Sequence, residues 1–217
     1  MGVSFIDDAP QIIKDYLFYM QTVKGKSQKT VDEYYIDLRT FFRFIKLQRG
    51  LVPEDAEFES ISIADVDLEL VKTVTLNDAY EFMNYIQRER NNQNVTRARK
   101  CSSLKGYFNY LTTKKCVLST NPVEQLEVPK KKKALPKYLT LEQSLELLNA
   151  VDGDYKERDY CILTLFLNCG LRVSEMASLN YTDIRQDNTL RVVGKGNKER
   201  VIYLNSACIS AIQNYMR

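Results

Sequence analysis

Apolar residues in the first 120 positions recur at the three- and four-residue spacing of amphipathic helices. Helices are predicted over 8–22, from Ser27 or Gln28 to about Gln48, from Thr75 or Asn77 to about Arg90, and over 95–113. The apolar stripe of the longest is Val31, Tyr34, Tyr35, Leu38, Phe41, Phe42 and Ile45. The acidic stretch 51–67 is predicted as a loop with a short helical turn. We therefore expect a compact bundle of four or five helices.

The pattern changes after residue 120. Residues 121–137 contain three prolines and five lysines, a composition typical of an extended interdomain linker. Thr140 stands three residues before Gln143 and predicts the capping box of a helix over 141–150. Helices over 154–168 and 172–179 follow. The first is expected to be buried because it carries Ile162, Leu163, Leu165, Phe166 and Leu167.

A strand pattern then replaces the helical one. Segments 189–193 and 200–204 are rich in β-branched residues, and the turn-rich stretch 194–199 between them predicts a hairpin. A third short strand is expected near 183–185, and a last helix from Asn205 or Ser206 to the end. The predicted fold class is mainly α: a helical domain over 1–125, a basic linker over 126–139, and an α+β domain over 140–217 with a small antiparallel sheet.

The 217 residues include no histidine, which excludes Ser-His-Asp and Cys-His catalysis and any histidine-ligated metal. Five scattered cysteines without a CxxC pair indicate reduced, packed thiols rather than a zinc site. No apolar run approaches 18 residues, and Met1–Ser4 does not resemble the start of a secretory signal. We expect a cytoplasmic protein without a membrane span, metal or cofactor.

The net charge of +3 conceals two oppositely charged segments. Residues 51–81 hold nine acids and one base, and residues 97–137 hold eleven bases and two acids. For the helix over 95–113 alone, an ordinary solvated face explains the basic residues as well as a functional role does. The adjacent lysine run favours nucleic acid, and the lack of a strongly apolar face disfavours a membrane. The predicted DNA contacts here are Arg97, Arg99, Lys100, Lys105, Lys130, Lys131, Lys132 and Lys133.

Two further segments carry candidate chemistry. Arg172 follows Gly170 at the start of a predicted helix, where a guanidinium and free N–H groups suit a phosphate, and Glu175 lies on the same face. The hairpin tip carries Lys195 and Lys198 between and beside glycines, without the spacing of a phosphate-binding loop. Considered one at a time, the two segments are better explained as a surface ion pair and a solubilising loop than as a phosphate site. Their occurrence together, downstream of the basic segment, is a more specific indication of function than either alone.

These motifs resemble the tyrosine recombinase, or phage integrase, family, and especially its Xer-type members. The resemblance covers nearly the whole chain. Ser27-x-x-Thr30-x-x-x-Tyr34-x-x-Asp37-Leu38 is similar to the start of the family's SAM-like helical core-binding domain. Gly170-Leu171-Arg172-x-Ser174-Glu175 is similar to the box of the first catalytic arginine. Gly194-Lys195-Gly196-Asn197-Lys198-Glu199-Arg200 is similar to the hairpin of the catalytic lysine.

The resemblance implies site-specific DNA cleavage and rejoining through a phosphotyrosine intermediate, without metal or ATP. It implies that Arg172 stabilises the transition state at the phosphate, Glu175 supports Arg172, and Lys195 protonates the 5′-hydroxyl leaving group. Lys198 and Arg200 would contact DNA. The two domains would clamp double-stranded DNA, and recombination would need other protomers in a tetramer.

The sequence also departs from the family. It lacks the histidine-containing boxes, and none of its fourteen tyrosines lies in the context of the nucleophile. We therefore expect the chain to be the N-terminal, truncated part of a recombinase that binds DNA but cannot cleave it. One alternative is a DNA-binding-only competitor or regulator of an intact recombinase. Another is a helical protein-interaction domain whose basic stretch is incidental.

Overall fold

The structure, a computed structural model, describes residues 9–128, 135–194 and 196–217. The chain divides into two compact units, 1–134 and 135–217. Lys130 to Lys133 and Lys195 lie outside the described residues.

The first unit is helical. Its elements are α1 (Gln11–Phe18), a π-helical turn (Tyr19–Val23), α2 (Gln28–Gln48), a 3-10 turn (Phe58–Ser60), α3 (Leu68–Lys72), α4 (Leu76–Arg88) and α5 (Asn94–Thr113). The helix α3 was not predicted, because its five residues are too few to show a helical period. Asp67 begins it by accepting a hydrogen bond from the backbone N–H of Leu70 at 2.9 Å.

The side chains predicted to cap the beginnings of helices form those capping hydrogen bonds. The Ser27 hydroxyl accepts a hydrogen bond from the Thr30 N–H at 3.4 Å and begins α2. At α4, Thr75 Oγ1 accepts from the Asp78 N–H at 3.2 Å, and Asp78 Oδ2 accepts from the Thr75 N–H at 2.7 Å. The two bonds at α4 satisfy backbone donors at the start of the helix. The Thr30 N–H also donates to the Ser27 carbonyl at 2.9 Å.

Aromatic side chains from three helices form the centre of the first unit. Phe41 of α2, Phe82 of α4 and Phe108 of α5 are fully buried. The ring centroid of Phe41 lies 5.2 Å from that of Phe82 and 6.3 Å from that of Phe108, both edge to face. This geometry places the positive ring edge on the negative ring face, so the helices gain specific contacts as well as buried area.

The second unit combines helices with a hairpin. Its elements are α6 (Leu141–Asn149), α7 (Lys156–Cys169), α8 (Val173–Ala177), a 3-10 turn (Tyr181–Asp183), β1 (Thr189–Val193), β2 (Glu199–Tyr203) and α9 (Ser206–Tyr215). The strands are antiparallel, with Thr189 opposite Tyr203 and Val193 opposite Glu199. The expected third strand is only a single bridge between Ile184 and Leu190. The predicted fold class, mainly helical with a small antiparallel sheet, is confirmed.

The prediction that α7 is buried was wrong for most of its apolar residues. Leu165 is buried, but Ile162, Leu163 and Phe166 are half-buried and Leu167 is exposed. The reason is that α6 and α9 pack along α7 without enclosing it. The apolar groove left beside α7 has a volume of about 620 Å³ and is lined by Phe166 among others.

The five cysteines are all free; Cys116 is exposed, Cys169 is half-buried and the other three are buried. Burial, followed by the neighbouring Cys208, raises the pKa of Cys169 to about 12, so its thiolate form is scarce at neutral pH. None of the described helices is both long enough and apolar enough to cross a bilayer.

Candidate nucleic-acid interface

A glycine turn brings Arg172 to the beginning of α8. Gly170 ends α7 with a φ of 57°, in the left-handed region that glycine adopts without steric cost. Two residues later, Arg172 is the N-terminal cap residue of α8. Because α8 has only five residues, its dipole adds little, and the anion-binding capacity of this site rests on the side chains.

Glu175 lies beneath Arg172 and is 3% exposed, whereas the Arg172 side chain is 69% exposed. The carboxylate accepts hydrogen bonds from the Arg172 backbone N–H at 2.9 Å and from Arg172 Nη1 at 2.7 Å. Nε and Nη2 of Arg172 have no hydrogen-bond partner among the described residues. The guanidinium is thus held at one edge and open to solvent at the other.

A second arginine reaches the same carboxylate from the hairpin. Arg200 of β2 donates from Nη1 to Glu175 Oε1 at 2.8 Å and from Nη2 to Oε2 at 2.9 Å. This bidentate contact, together with the backbone N–H of Arg172, holds the pKa of Glu175 well below its usual range. Glu175 therefore stays ionised and links the hairpin to α8.

Gly194 allows the hairpin to approach this cluster. A Cβ at Gly194 would lie 3.1 Å from Glu175 Oε1 and 3.8 Å from Arg172 Nη1. The Gly194 N–H also donates to the Lys198 carbonyl at 2.8 Å and closes the end of the hairpin. The Lys198 side chain is exposed beyond that closure. The predicted partner of Arg172, Lys195, lies between these residues and outside the described ones.

The side chains near Arg172 form a cationic site. Two guanidiniums and one carboxylate carry a net charge of +1, and the exposed edge of Arg172 offers N–H donors in a planar fork. That combination suits the oxygens of a phosphate.

In the first unit, the structure changes the roles of two predicted DNA contacts. Lys100 is 6% exposed, and its ammonium lies 3.0 Å from Asp37 Oδ1. Arg99, partly exposed, donates to Asp37 Oδ2 at 2.6 Å and to the Glu33 carbonyl at 3.3 Å. Ser103 adds a third donor to Asp37. Lys100, predicted as a DNA contact, thus lies in the core of the first unit, and Arg99 has one edge fixed.

Two other residues predicted to contact DNA also form hydrogen bonds within the first unit. The Lys105 ammonium donates to the carbonyls of Glu124 and Leu126, at 2.7 and 3.0 Å, and fixes the segment after α5. Arg97 donates to Asn94 Oδ1 at 2.6 Å and also contacts Gln87, while remaining partly exposed.

The acidic segment is partly neutralised within the first unit. Glu59 pairs with Arg43 at 2.7 Å and with Arg90 at 2.6 Å, and Asp65 pairs with Lys46 at 2.7 Å. The charge count along the chain therefore exaggerates the field of residues 51–81 at the molecular surface.

Sequence reasoning missed the central roles of Asp37 and Gly194. The sequence shows Asp37 only as part of a motif, whereas in the structure it is the buried partner of two bases on another helix. Its one sequence signal is an acidic residue next to the apolar stripe of α2. The sequence predicts Gly194 as a turn residue, and no local signal marks its approach to Glu175.

Comparison with known proteins gives the family context of this geometry. Residues 137–217 match the sequence model of the phage integrase family. Tyrosine recombinase XerC of Caldanaerobacter subterraneus subsp. tengcongensis is 51% identical over 208 residues, covering 96% of this chain and 59% of that protein. XerC of Chlamydia muridarum is 31% identical over 205 residues, covering 93% and 64%. The chain spans about three fifths of the length of these relatives.

Solved structures share the fold. A lambda integrase tetramer bound to a Holliday junction gives a TM-score of 0.63 at 18% identity, covering 94% of this chain and 54% of that one. The Tn1549 transposon integrase in complex with a circular intermediate DNA gives 0.58 at 21% identity, covering 96% and 65%. The arginine and lysine motifs, the match over 137–217 and the XerC similarity along nearly the whole chain agree: residues 137–217 match the phage integrase family, and the chain as a whole is similar to Xer tyrosine recombinases.

Proposed function

We propose that this chain binds double-stranded DNA and holds one phosphodiester at Arg172 during site-specific strand cleavage and rejoining. The supporting observation is the solvent-open guanidinium of Arg172 on the buried carboxylate of Glu175. An arginine fixed at one edge loses little freedom when it binds an anion, so it is prepared for a phosphate.

Arg172 hydrogen-bonds the non-bridging oxygens and stabilises the charge that develops as the phosphorus becomes five-coordinate. Lys195 gives a proton to the 5′-hydroxyl as it leaves. Glu175 orients Arg172. The attacking tyrosine is not one of the fourteen in these 217 residues, because none lies in the family's context, so this chain by itself binds without cleaving.

In this proposal DNA contacts come from Arg97 and Arg99 of the first unit, from Lys198 of the second unit, and from the lysines at 130–133. In this proposal Lys100 and Lys105 support the first unit without touching phosphate. The whole recombinase acts in the cytoplasm and assembles as a tetramer on DNA. The lambda integrase tetramer on a Holliday junction is consistent with that assembly.

The first experiment measures duplex binding over a range of salt concentrations. We expect affinity that falls steeply with salt, because phosphate contacts release counterions. Absence of duplex binding at low salt would reject the proposal and favour the protein-interaction alternative.

The second experiment separates a catalytic chain from a binding-only one. The protein is incubated with a nicked suicide substrate, and covalent protein–DNA product is sought on a denaturing gel. We expect none from this chain, as in a non-catalytic competitor. A phosphotyrosyl product would show that one of the fourteen tyrosines is the nucleophile after all.

A further inference from the structure

Glu175 creates an electrostatic difficulty for the proposed phosphate site. Arg172 paired with Glu175 alone is a neutral couple, and a neutral couple attracts a phosphate weakly. The carboxylate is 3% exposed, so water does little to screen it from the guanidinium. Some other group must offset Glu175 if Arg172 is to bind an anion.

Arg200 supplies that group. Its guanidinium donates one N–H to each oxygen of Glu175, at 2.8 and 2.9 Å, in the paired geometry that fits a carboxylate. Arg172 contacts the same carboxylate through only one side-chain nitrogen. Of the two arginines, Arg200 is therefore the principal partner of Glu175, and Arg172 is the one with donors left over.

We propose that Arg200 is a positioning residue for Arg172, which by occupying both oxygens of Glu175 keeps the site cationic and leaves the outer edge of Arg172 for a DNA phosphate. This inference rests on the proposed function. It differs from the sequence-based expectation, in which Arg200 itself contacts DNA.

The same contact also sets the position of the hairpin. Arg200 lies opposite Val192 in the sheet, and Val192 is fully buried, so this part of β2 is anchored to the core of the second unit. The Arg200–Glu175 bonds then connect that anchored strand to α8. Gly194 is thereby kept close to both Glu175 and Arg172.

The test is a charge rescue measured by duplex DNA binding. Arg200→Met leaves Arg172 neutralised by Glu175, and adding Glu175→Gln restores a net charge of +1 without restoring Arg200. We expect Arg200→Met to weaken binding at low salt about tenfold and to reduce the salt slope by about 0.9. The double variant should return to within about twofold of the wild-type affinity.

Arg191 provides the matched control. It lies on β1 of the same hairpin, is 41% exposed compared with 38% for Arg200, and pairs with Glu199 at 2.9 Å. Arg191→Met removes the same charge but not the contact with Glu175, so Glu175→Gln should not rescue it. Arg172→Ala should weaken DNA binding when it is the only substitution. In the Arg200→Met variant it should cause no further loss of binding.

The possible outcomes distinguish failure of the inference about Arg200 from failure of the proposed function. If the wild-type chain does not bind duplex DNA, the proposed function and this inference both fail. If it binds and Glu175→Gln does not rescue Arg200→Met, Arg200 acts by direct DNA contact or by folding alone, and only this inference fails. Circular dichroism checks folding. Should Arg200→Met not fold, Arg200→Gln, which keeps one donor but no charge, is expected to show the same loss and the same rescue.

Discussion

The Lys100 ammonium lies 3.0 Å from the Asp37 carboxylate, and both side chains are buried inside the helical unit. Burial lowers the pKa of Lys100, and the Asp37 carboxylate opposes that shift. Asp37 is also bonded to Arg99 and Ser103, so one acidic residue of α2 connects three positions of α5. The two helices are joined by this buried polar cluster as well as by their aromatic contacts.

Asp37→Asn should destabilise the first unit by about 3–5 kcal/mol, because it leaves a buried lysine without its counter-charge. Urea denaturation followed by circular dichroism measures the change. Asp55→Asn is the control, since Asp55 is exposed and its replacement should change stability by less than about 0.5 kcal/mol. A loss below about 1 kcal/mol for Asp37→Asn would show that Lys100 finds another partner or water.

Phe41→Ala should cost about 3–5 kcal/mol, because Phe41 is fully buried among Phe42, Phe82 and Phe108 and the cavity cannot collapse easily. The free energy of unfolding is again measured in urea. Phe18→Ala, at a side chain that is 40% exposed, should cost clearly less. Equal losses would mean that the aromatic centre repacks around the missing ring.

The titration of Glu175 should depend on Arg200. Since the folded pKa of Glu175 is depressed, its stabilising contribution is present above the usual glutamate pKa and disappears as the pH falls through the folded value. In Arg200→Met the pKa should move up toward the ordinary range, and the loss should begin at higher pH.

Carboxyl carbon NMR gives the Glu175 midpoint directly. Glu142, whose pKa is lowered by hydrogen bonds at the start of α6, is the internal reference and should titrate unchanged in the variant. An unchanged Glu175 midpoint would contradict the bidentate contact.

Gly194→Ala should disturb the Arg172–Glu175 pair, since the new Cβ would lie 3.1 Å from a carboxylate oxygen that hydrogen bonds hold in place. We expect weaker duplex binding, of about the size seen for Arg172→Ala, together with a shifted Glu175 carboxyl signal. Gly196→Ala separates contact from backbone strain: Gly196 has a φ of 76° with open space around it, so its replacement strains the turn and leaves Glu175 alone. Identical effects of the two variants would assign the defect to the turn.

Changing Lys130, Lys131, Lys132 and Lys133 together to Ala should weaken binding to all duplexes alike and lower the salt slope by up to about 3.6, or 0.9 for each phosphate contact. This loss should exceed that of Arg172→Ala, whose main contribution is to the transition state. The four-lysine to four-arginine variant keeps the charge and should bind nearly as the wild type does. Loss of binding to only one DNA sequence would show that these lysines read bases.

The helices of this protein were largely predictable because their signals are local. The capping residues Ser27, Thr75 and Thr140 and the apolar stripe of α2 act within one or two turns, so the sequence shows them directly. The hairpin was predictable for the same reason. The short α3 and the single bridge at Ile184 were not, since five residues or one bridge leave no period to detect.

The candidate site also has features that the sequence shows and features that depend on the fold. Its arginine, acidic and lysine motifs, and the family they indicate, follow from the order of residues in the chain. Which cations stay exposed and which form contacts within the protein was decided only by the tertiary structure. Lys100 is as basic in the sequence as Arg99, and Arg200 as basic as Arg172, yet burial beside Asp37 and pairing with Glu175 assign them to support. The charge of a side chain is set by the residue type. Whether that charge is available to a ligand depends on which groups the fold packs against it.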